Sequence, residues 1–318
     1  MIDRQIVHYW EYDPLINSHI VFNTAVPATG FRTYKSEAFN YINIEGYIYL
    51  TNLLYHYCSV ETFGLIMKNK TFRFSSLGVV DDMEESMTSD YKNIGKICFV
   101  SCWTDLVQES VEMWRTYTGG VNGVRIGLPR NLFSTGLNEK EIFKLSRQIG
   151  DKCDVSISPP YQPDLIPITY TKDDYLINLS VVKKDNEVCK KCGKVTANFN
   201  IDTRYLGRFK RNYWSGQSEW RYRLIAIPLE YYRNSQSGKY LKGKPEEMVE
   251  LMQSDLIKMT FNNDYIDFPF NENVFEKMEI LLSPLNAEED NDVVKSIVKK
   301  YTNLTDFEFK SSELKIRK

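Results

Sequence analysis

The sequence holds only three histidines in 318 residues, and no apolar run approaches the roughly 18 residues a bilayer-spanning helix needs. Histidine-rich metal centres and membrane-embedded functions are therefore not expected. No GxGxxG follows a predicted strand, and GxxxxGK[ST], HExxH and GxSxG do not occur. The usual signatures of dinucleotide folds, P-loops, zincins and serine hydrolases are thus missing. Charge of one sign is also lacking: the net charge is −2, so attraction to nucleic acid or an anionic membrane needs a local patch. The opening MIDRQIVHYWEYDP has no apolar leader core. The six cysteines are then expected as reduced thiols in a cytoplasmic protein with no membrane contact.

What is plentiful is aromatic: 14% of residues, with 21 tyrosines. Rings at that density serve stacking surfaces as well as cores. Residues 1–50 show no clear period and read as an N-terminal extension. From residue 51 onward the patterns sharpen into one domain, 51–318. LLYHY, TFRFSS and ICFVSCW predict strands, and SVETFGLIMKNK predicts a helix with Ser59 as N-cap. DLVQESVEMWRTY predicts a helix, and GGVNGVRIGLP a turn and strand. Residues 146–200, with Pro159, Pro160, Pro163 and Pro167, weaken into an expected insertion. PEEMVELMQSDLIKM and the stretch after EILLSPLN read as helices. Short strands and helices without regular alternation argue for α+β.

YWSGQSEWRYRL carries the most pointed signal. Trp220, Tyr222, Leu224 and Ala226 alternate with Arg221, Arg223, Ile225 and Ile227, a strand period. Glu219 stands at its mouth. Such a carboxylate is either salt-bridged to a neighbouring arginine or has a chemical task. Just upstream, Arg204, Arg208, Lys210 and Arg211 interleave with Tyr205, Phe209, Tyr213 and Trp214, the mix that phosphate- and base-bearing ligands need. A solvated face with core rings gives the same pattern. His56, in YHYCS, is the histidine within a strong pattern, and a lone histidine is commonly a hydrogen-bonded structural residue. Cys189 and Cys192 have the spacing of half a zinc knuckle, but half a site gives no expectation of structural zinc. The acidic run DDMEES suits either a divalent cation or solvated caps.

LYHYCS, the DDMEE run, CFVSCW with EMWRTYTGG, YWSGQSEWR and the tail EILLSPLNAEE through FKSSELK together resemble a bacterial domain family of formerly unknown function. That family's pattern is LYHYTS, NDPxE, CFS, MWxHY and WxxExEWR, and it is similar to ADP-ribosyltransferases. The resemblance runs from about Leu53 to Lys315. Cys58 stands where Thr is usual, Asp81-Asp82-Met83 replaces Asn-Asp-Pro, Thr116 replaces a His, and Gln217 takes the first place of the ExE pair. The resemblance implies a split antiparallel β-sandwich with flanking helices and NAD as substrate.

Cleavage of the nicotinamide–ribose bond passes through an oxocarbenium-like state and needs an anion beside the developing cation. By the resemblance, Glu219 is that anion, Gln217 faces the acceptor, and His56 holds a ribose hydroxyl. Tyr57 and Ser59 lie beside the nicotinamide amide, and Phe99, Ser101, Trp114 or Tyr117 forms the wall on which nicotinamide stacks. Arg73 or Arg221 steers the diphosphate. Gln217 suits an amide or nucleobase better than a guanidinium. The expected function is therefore a toxin that modifies an RNA or DNA base, in phage defence or a toxin–antitoxin system. An antitoxin or chaperone partner would go with it. A protein side chain as acceptor, a nuclease using His56 and Glu219, and a catalytically silent nucleotide-binding module are the alternatives.

Overall fold

The structure, a computed structural model, describes residues 4–13, 18–27, 53–133, 137–150, 155–159, 162–188, 195–228, 261, 263–304 and 307–316; for 4–27 and 182–201 it describes backbone alone. Cys189, Cys192 and the expected helix PEEMVELMQSDLIKM lie outside the described residues.

Within residues 1–50, β1 (Arg4–Asp13) and β2 (Ser18–Pro27) pair antiparallel as a sheet of their own. The ordered domain opens with β3 (Leu53–Cys58), α1 (Val60–Asn69) and β4 (Thr71–Ser76). Ser59 Oγ accepts from Thr62 N and starts α1, while Lys70 at φ 56° stops it in the left-handed region. Then come β5 (Cys98–Thr104), α2 (Val111–Tyr117) and β6 (Val124–Pro129). α2 is shorter than its apolar pattern predicts, because Ser110 caps it late by accepting from Met113 N.

Asn138 and Glu141 form a capping box at the start of α3 (Glu139–Ile149). β7 (Val155–Ser158), β8 (Asp164–Pro167) and β9 (Thr169–Thr171) follow, then the hairpin of β10 (Val182–Val188) and β11 (Val195–Ile201). β12 (Phe209–Arg211) leads through a 3-10 segment (Asn212–Gln217) into β13 (Glu219–Pro228). The chain closes with β14 (Tyr265–Pro269), β15 (Glu279–Leu282), α4 (Glu288–Tyr301) and β16 (Phe309–Ser311). The class is α+β, with helices around a mixed sheet.

Ten strands join into one sheet, ordered β14-β4-β5-β3-β6-β15-β16, with β13, β7 and β8 branching from β5. The split sandwich expected from the resemblance is not seen as two sheets: β5 pairs along both edges, and the ten strands form one mixed sheet. One edge of β5 pairs with β13, from Glu219↔Thr104 to Ile225↔Cys98. Its other edge forks: β4 takes Phe99 and Val100, and β3 takes Thr104 through Tyr55. β7 and β8, from the expected insertion, line the far edge of β13.

Side chains alternate across a strand, so these registers fix which residues share a face. One face carries Leu54, Phe72, Phe74, Phe99, Trp103, Trp220, Tyr222 and Leu224, within the main apolar core. The opposite face carries two smaller apolar clusters. Leu77, Cys98, Val100 and Ile225 belong to one, and Tyr57, Met113 and Trp114 to the other. Between these two clusters β13 presents Glu219 and Arg221.

Candidate active site

β13 enters this second face through Ser218, a left-handed residue at φ 43° whose Oγ donates to Asp105 Oδ1 (2.7 Å). The turn sets Gln217 and Glu219 together at the strand mouth, where both are buried, 2% and 4% exposed. Arg221 follows on the same face and is 1% exposed. Its Nε donates to Glu219 Oε1 (2.6 Å). Its two terminal nitrogens grip Glu85, Nη2 to Oε1 at 3.0 Å and Nη1 to Oε2, and Nη1 also donates to the Gly207 carbonyl.

Lys210, from β12, completes a charge-balanced quartet. Its Nζ donates to Glu219 Oε2 (3.0 Å) and Gln217 Oε1 (3.1 Å), and lies 3.5 Å from Glu85 Oε1. The same ammonium sits 4.5 Å from the Trp214 ring centroid. Tyr170 OH accepts from Glu219 N (2.8 Å), which fixes the backbone at the strand's first residue.

Electrostatics keep the carboxylate ionised. Burial alone would raise the Glu219 pKa, but the charges of Arg221 and Lys210 outweigh it and hold the group at about 2. Burial pushes the Tyr117 and Tyr170 hydroxyls up, and the Glu219 charge adds to both. The Cys102 thiol is raised for the same two reasons, so it stays protonated.

Of the expected site residues, Glu219, Gln217, Arg221 and Tyr117 come together. Tyr117 is half-buried at the end of α2, within electrostatic reach of Glu219 and Cys102. The rest stand elsewhere, each held by a partner of its own. His56 turns to the main core: its ring is 5.0 Å from Trp103 and 5.6 Å from Phe72, and its Nδ1 donates to the Cys102 carbonyl (2.9 Å) across the fork. Because Tyr55, not His56, aligns with Thr104 and Glu219, His56 projects from the face opposite Glu219. Burial lowers its pKa, only partly offset by the carbonyl, and the ring is neutral.

Phe99 is fully buried beside Phe261, and Ser101 Oγ accepts from Trp103 Nε1, both on the His56 face. Trp114 is fully buried, donating Nε1 to Glu109 (2.9 Å) and meeting Tyr57 edge-on. Tyr57 OH accepts from Ser110 N. Ser59 is spent on its cap. Arg73 lies at the β14 edge, bound by both guanidinium arms to Asp267 and stacked on Tyr265. Tyr117 is thus the one expected wall residue within electrostatic reach of the carboxylate, and it packs against the Tyr57, Met113 and Trp114 cluster.

The basic run is not an open cationic track. Arg204 pairs with Asp202, Arg211 with Glu84 and Asp174, and Arg223 with Asp164. The acidic run is consumed in the same way: Asp82 caps its own turn, Glu84 holds Arg211 and Glu85 holds Arg221. Among the described residues no group of three or more His, Cys, Asp or Glu gathers as a metal site. What stays outward is aromatic. Tyr213 and Tyr175 are 72% and 71% exposed, and Tyr213 OH donates to Glu84, a partner of Arg211. Lys210 and Glu85, read as parts of a basic and an acidic run, prove to be partners of one another, and Lys210 also of Glu219. Cys102 and Tyr170 join them at the site without having been expected there.

Residues 113–222 match the model of a family described as a protein of unknown function (DUF2971). The matched span holds Tyr117, Tyr170, Lys210, Gln217, Glu219 and Arg221, and leaves His56, Glu85 and Cys102 outside it. No curated protein and no solved structure matches the chain.

Proposed function

We propose that the protein is an NAD-dependent ADP-ribosyltransferase that modifies a nucleobase, with Glu219 as the anion that stabilises the cationic ribose. One observation carries this reading. Segments far apart in the chain meet around one ionised carboxylate: Glu85 of DDMEE, Cys102 of CFVSCW, Tyr117 of EMWRTY, and Gln217 and Arg221 of YWSGQSEWR.

The chemistry fits these residue types. The bond from ribose C1′ to the nicotinamide nitrogen breaks, its electron pair leaves with neutral nicotinamide, and an acceptor nitrogen bonds to C1′ and loses a proton. Glu219 keeps its negative charge at neutral pH. A carboxylate has about four lone-pair sites, so Arg221, Lys210 and the Cys102 thiol leave room for a ribose hydroxyl. Tyr117, within electrostatic reach of Glu219, is the ring this reading would use as the nicotinamide wall. The exposed Tyr213 and Tyr175 rings suit base stacking, worth about 1–3 kcal/mol per base. A split antiparallel sandwich is the fold this reading expects, and the α+β class with a forked, mixed ten-stranded sheet is compatible with it. Toxicity checked by an antitoxin or chaperone, as in phage defence, is the biological setting it suggests.

NAD labelled on its adenylate half, incubated with the protein and separate RNA, DNA and protein fractions, tests the reading. Label that survives protease and is lost with nuclease supports it. Label in protein moves the acceptor to a side chain. A second reading, a nucleotide-binding module without turnover, draws on the charge balance of the quartet, in which Glu219 has a structural partner for each oxygen. It predicts NAD binding with no nicotinamide released. A nuclease would need His56 and Glu219 at one phosphodiester, and the two leave opposite faces of the sheet.

A further inference from the structure

The Lys210 ammonium donates to Glu219 Oε2 and Gln217 Oε1 and is ion-paired with Glu85 Oε1 at 3.5 Å. A lysine ammonium donates only and cannot accept. The Gln217 amide therefore has one allowed orientation. Oε1 faces Lys210, because the flipped amide would set N–H against N–H. Its Nε2 then points away from the ammonium, and none of the side-chain hydrogen bonds of the described residues is donated by it.

We infer that Lys210 is a specificity-determining positioning residue. By locking the Gln217 amide it presents a hydrogen-bond donor to the incoming acceptor, and so selects a neutral group with an accepting atom beside its nucleophilic nitrogen. This rests on the transferase reading and names its acceptor edge. A nucleobase has such an edge, with a ring nitrogen or keto oxygen next to an amine or ring N–H. A guanidinium has five donors and no acceptor, and carries a charge that the nearby ammonium repels. Lys210 works through Gln217 at this step and touches neither the leaving group nor the attacking atom.

The test follows two products from labelled NAD with the full-length chain: nicotinamide released, and label transferred to single-stranded RNA of mixed sequence or to agmatine, a small guanidinium. The wild type is expected to label RNA and leave agmatine unlabelled. Lys210→Met lets the amide turn, and the fraction of released ADP-ribose that reaches RNA rather than water falls about tenfold, as for loss of a charge-assisted hydrogen bond. Lys210→Arg, also donor-only, restores that fraction. Gln217→Met lowers it to the same degree, and the double variant Lys210→Met/Gln217→Met falls no further, because both act at one contact.

Labelling of agmatine by the wild type overturns the inference. So does nicotinamide release with the transferred fraction unchanged in Lys210→Met, or losses that multiply in the double variant. If Lys210→Met fails to fold, Gln217→Met and Lys210→Arg decide: an unchanged transferred fraction in Gln217→Met, or a lowered one in folded Lys210→Arg, overturns the inference. Absence of nicotinamide release from the wild type removes the transferase reading, and the acceptor edge with it, which separates that failure from the others.

Discussion

Glu219 and Glu85 occupy the same buried quartet and bind the same two cations, yet only Glu219 stands at the strand mouth beside Gln217 and Tyr117. Neutralising either leaves a buried cation short of a partner, at a cost on the order of 3 kcal/mol. Glu219→Gln and Glu85→Gln should therefore lower the urea midpoint by similar amounts. Nicotinamide release should part them, with Glu219→Gln losing about 100-fold or more and Glu85→Gln keeping most of its activity while folded.

Acid sensitivity belongs to the same scale. His56 is held neutral by burial below its ordinary 6.5, so the unfolded chain takes up that proton first and stability falls as pH drops through about 6.5. Glu219 has the carboxylate sign: held near 2, it adds stability that is complete above about 4.5 and is lost as pH falls from there towards 2. Urea midpoints measured on either side of pH 6.5 should drop on acidification, and His56→Asn should remove that first step while leaving the one below pH 4.5. An unchanged first step in His56→Asn would move its origin elsewhere.

Among the elements, the short 3-10 segments that brace the quartet are the sensitive parts. Met83–Ser86 carries Glu85, and it rests on Ile94–Ile97 where Gly95 passes the Ser86 backbone. A Cβ on Gly95 would stand 2.6 Å from Ser86 Cα, so Gly95→Ala must push the segment and Glu85 away from Arg221. A loss of about 1–3 kcal/mol is expected by thermal or urea unfolding, with nicotinamide release mostly kept, as in Glu85→Gln, at temperatures where the variant is still folded.

Local patterns announce many of these elements. Ser59 marks the start of α1, the apolar run ICFVSCW marks β5 and the period of two marks β13. Register is different. Whether His56 and Glu219 share a face depends on Tyr55 meeting Thr104, a pairing of residues 49 apart that no local window contains. The partner of a cation is equally non-local: Lys210 reads as a phosphate ligand in its own segment and becomes a carboxylate's partner once β12 docks. Glu219 is legible as either salt-bridged or functional, and the structure shows the salt bridges, to Arg221 and Lys210.

At the scale of the whole molecule, the sheet gathers strands from Leu53 to Ser311 into one body. The family match, 113–222, contains β13 through Tyr222 but neither β5, its long partner, nor β3 and β4. A fragment of those residues alone should show no cooperative urea transition, while the full chain should show one. A cooperative fragment would mean that β13 is stable without β5. The candidate site is divided by the same boundary, with Glu85 and Cys102 on one side and Lys210, Gln217 and Glu219 on the other.

The most direct measurement is nicotinamide released from NAD by the full chain and by Glu219→Gln, both confirmed folded by a shared unfolding transition. Steady release by the wild type and its near-abolition in the variant is the predicted result. Equal release by the two proteins, or none from the wild type at any NAD concentration, contradicts the role given to that carboxylate.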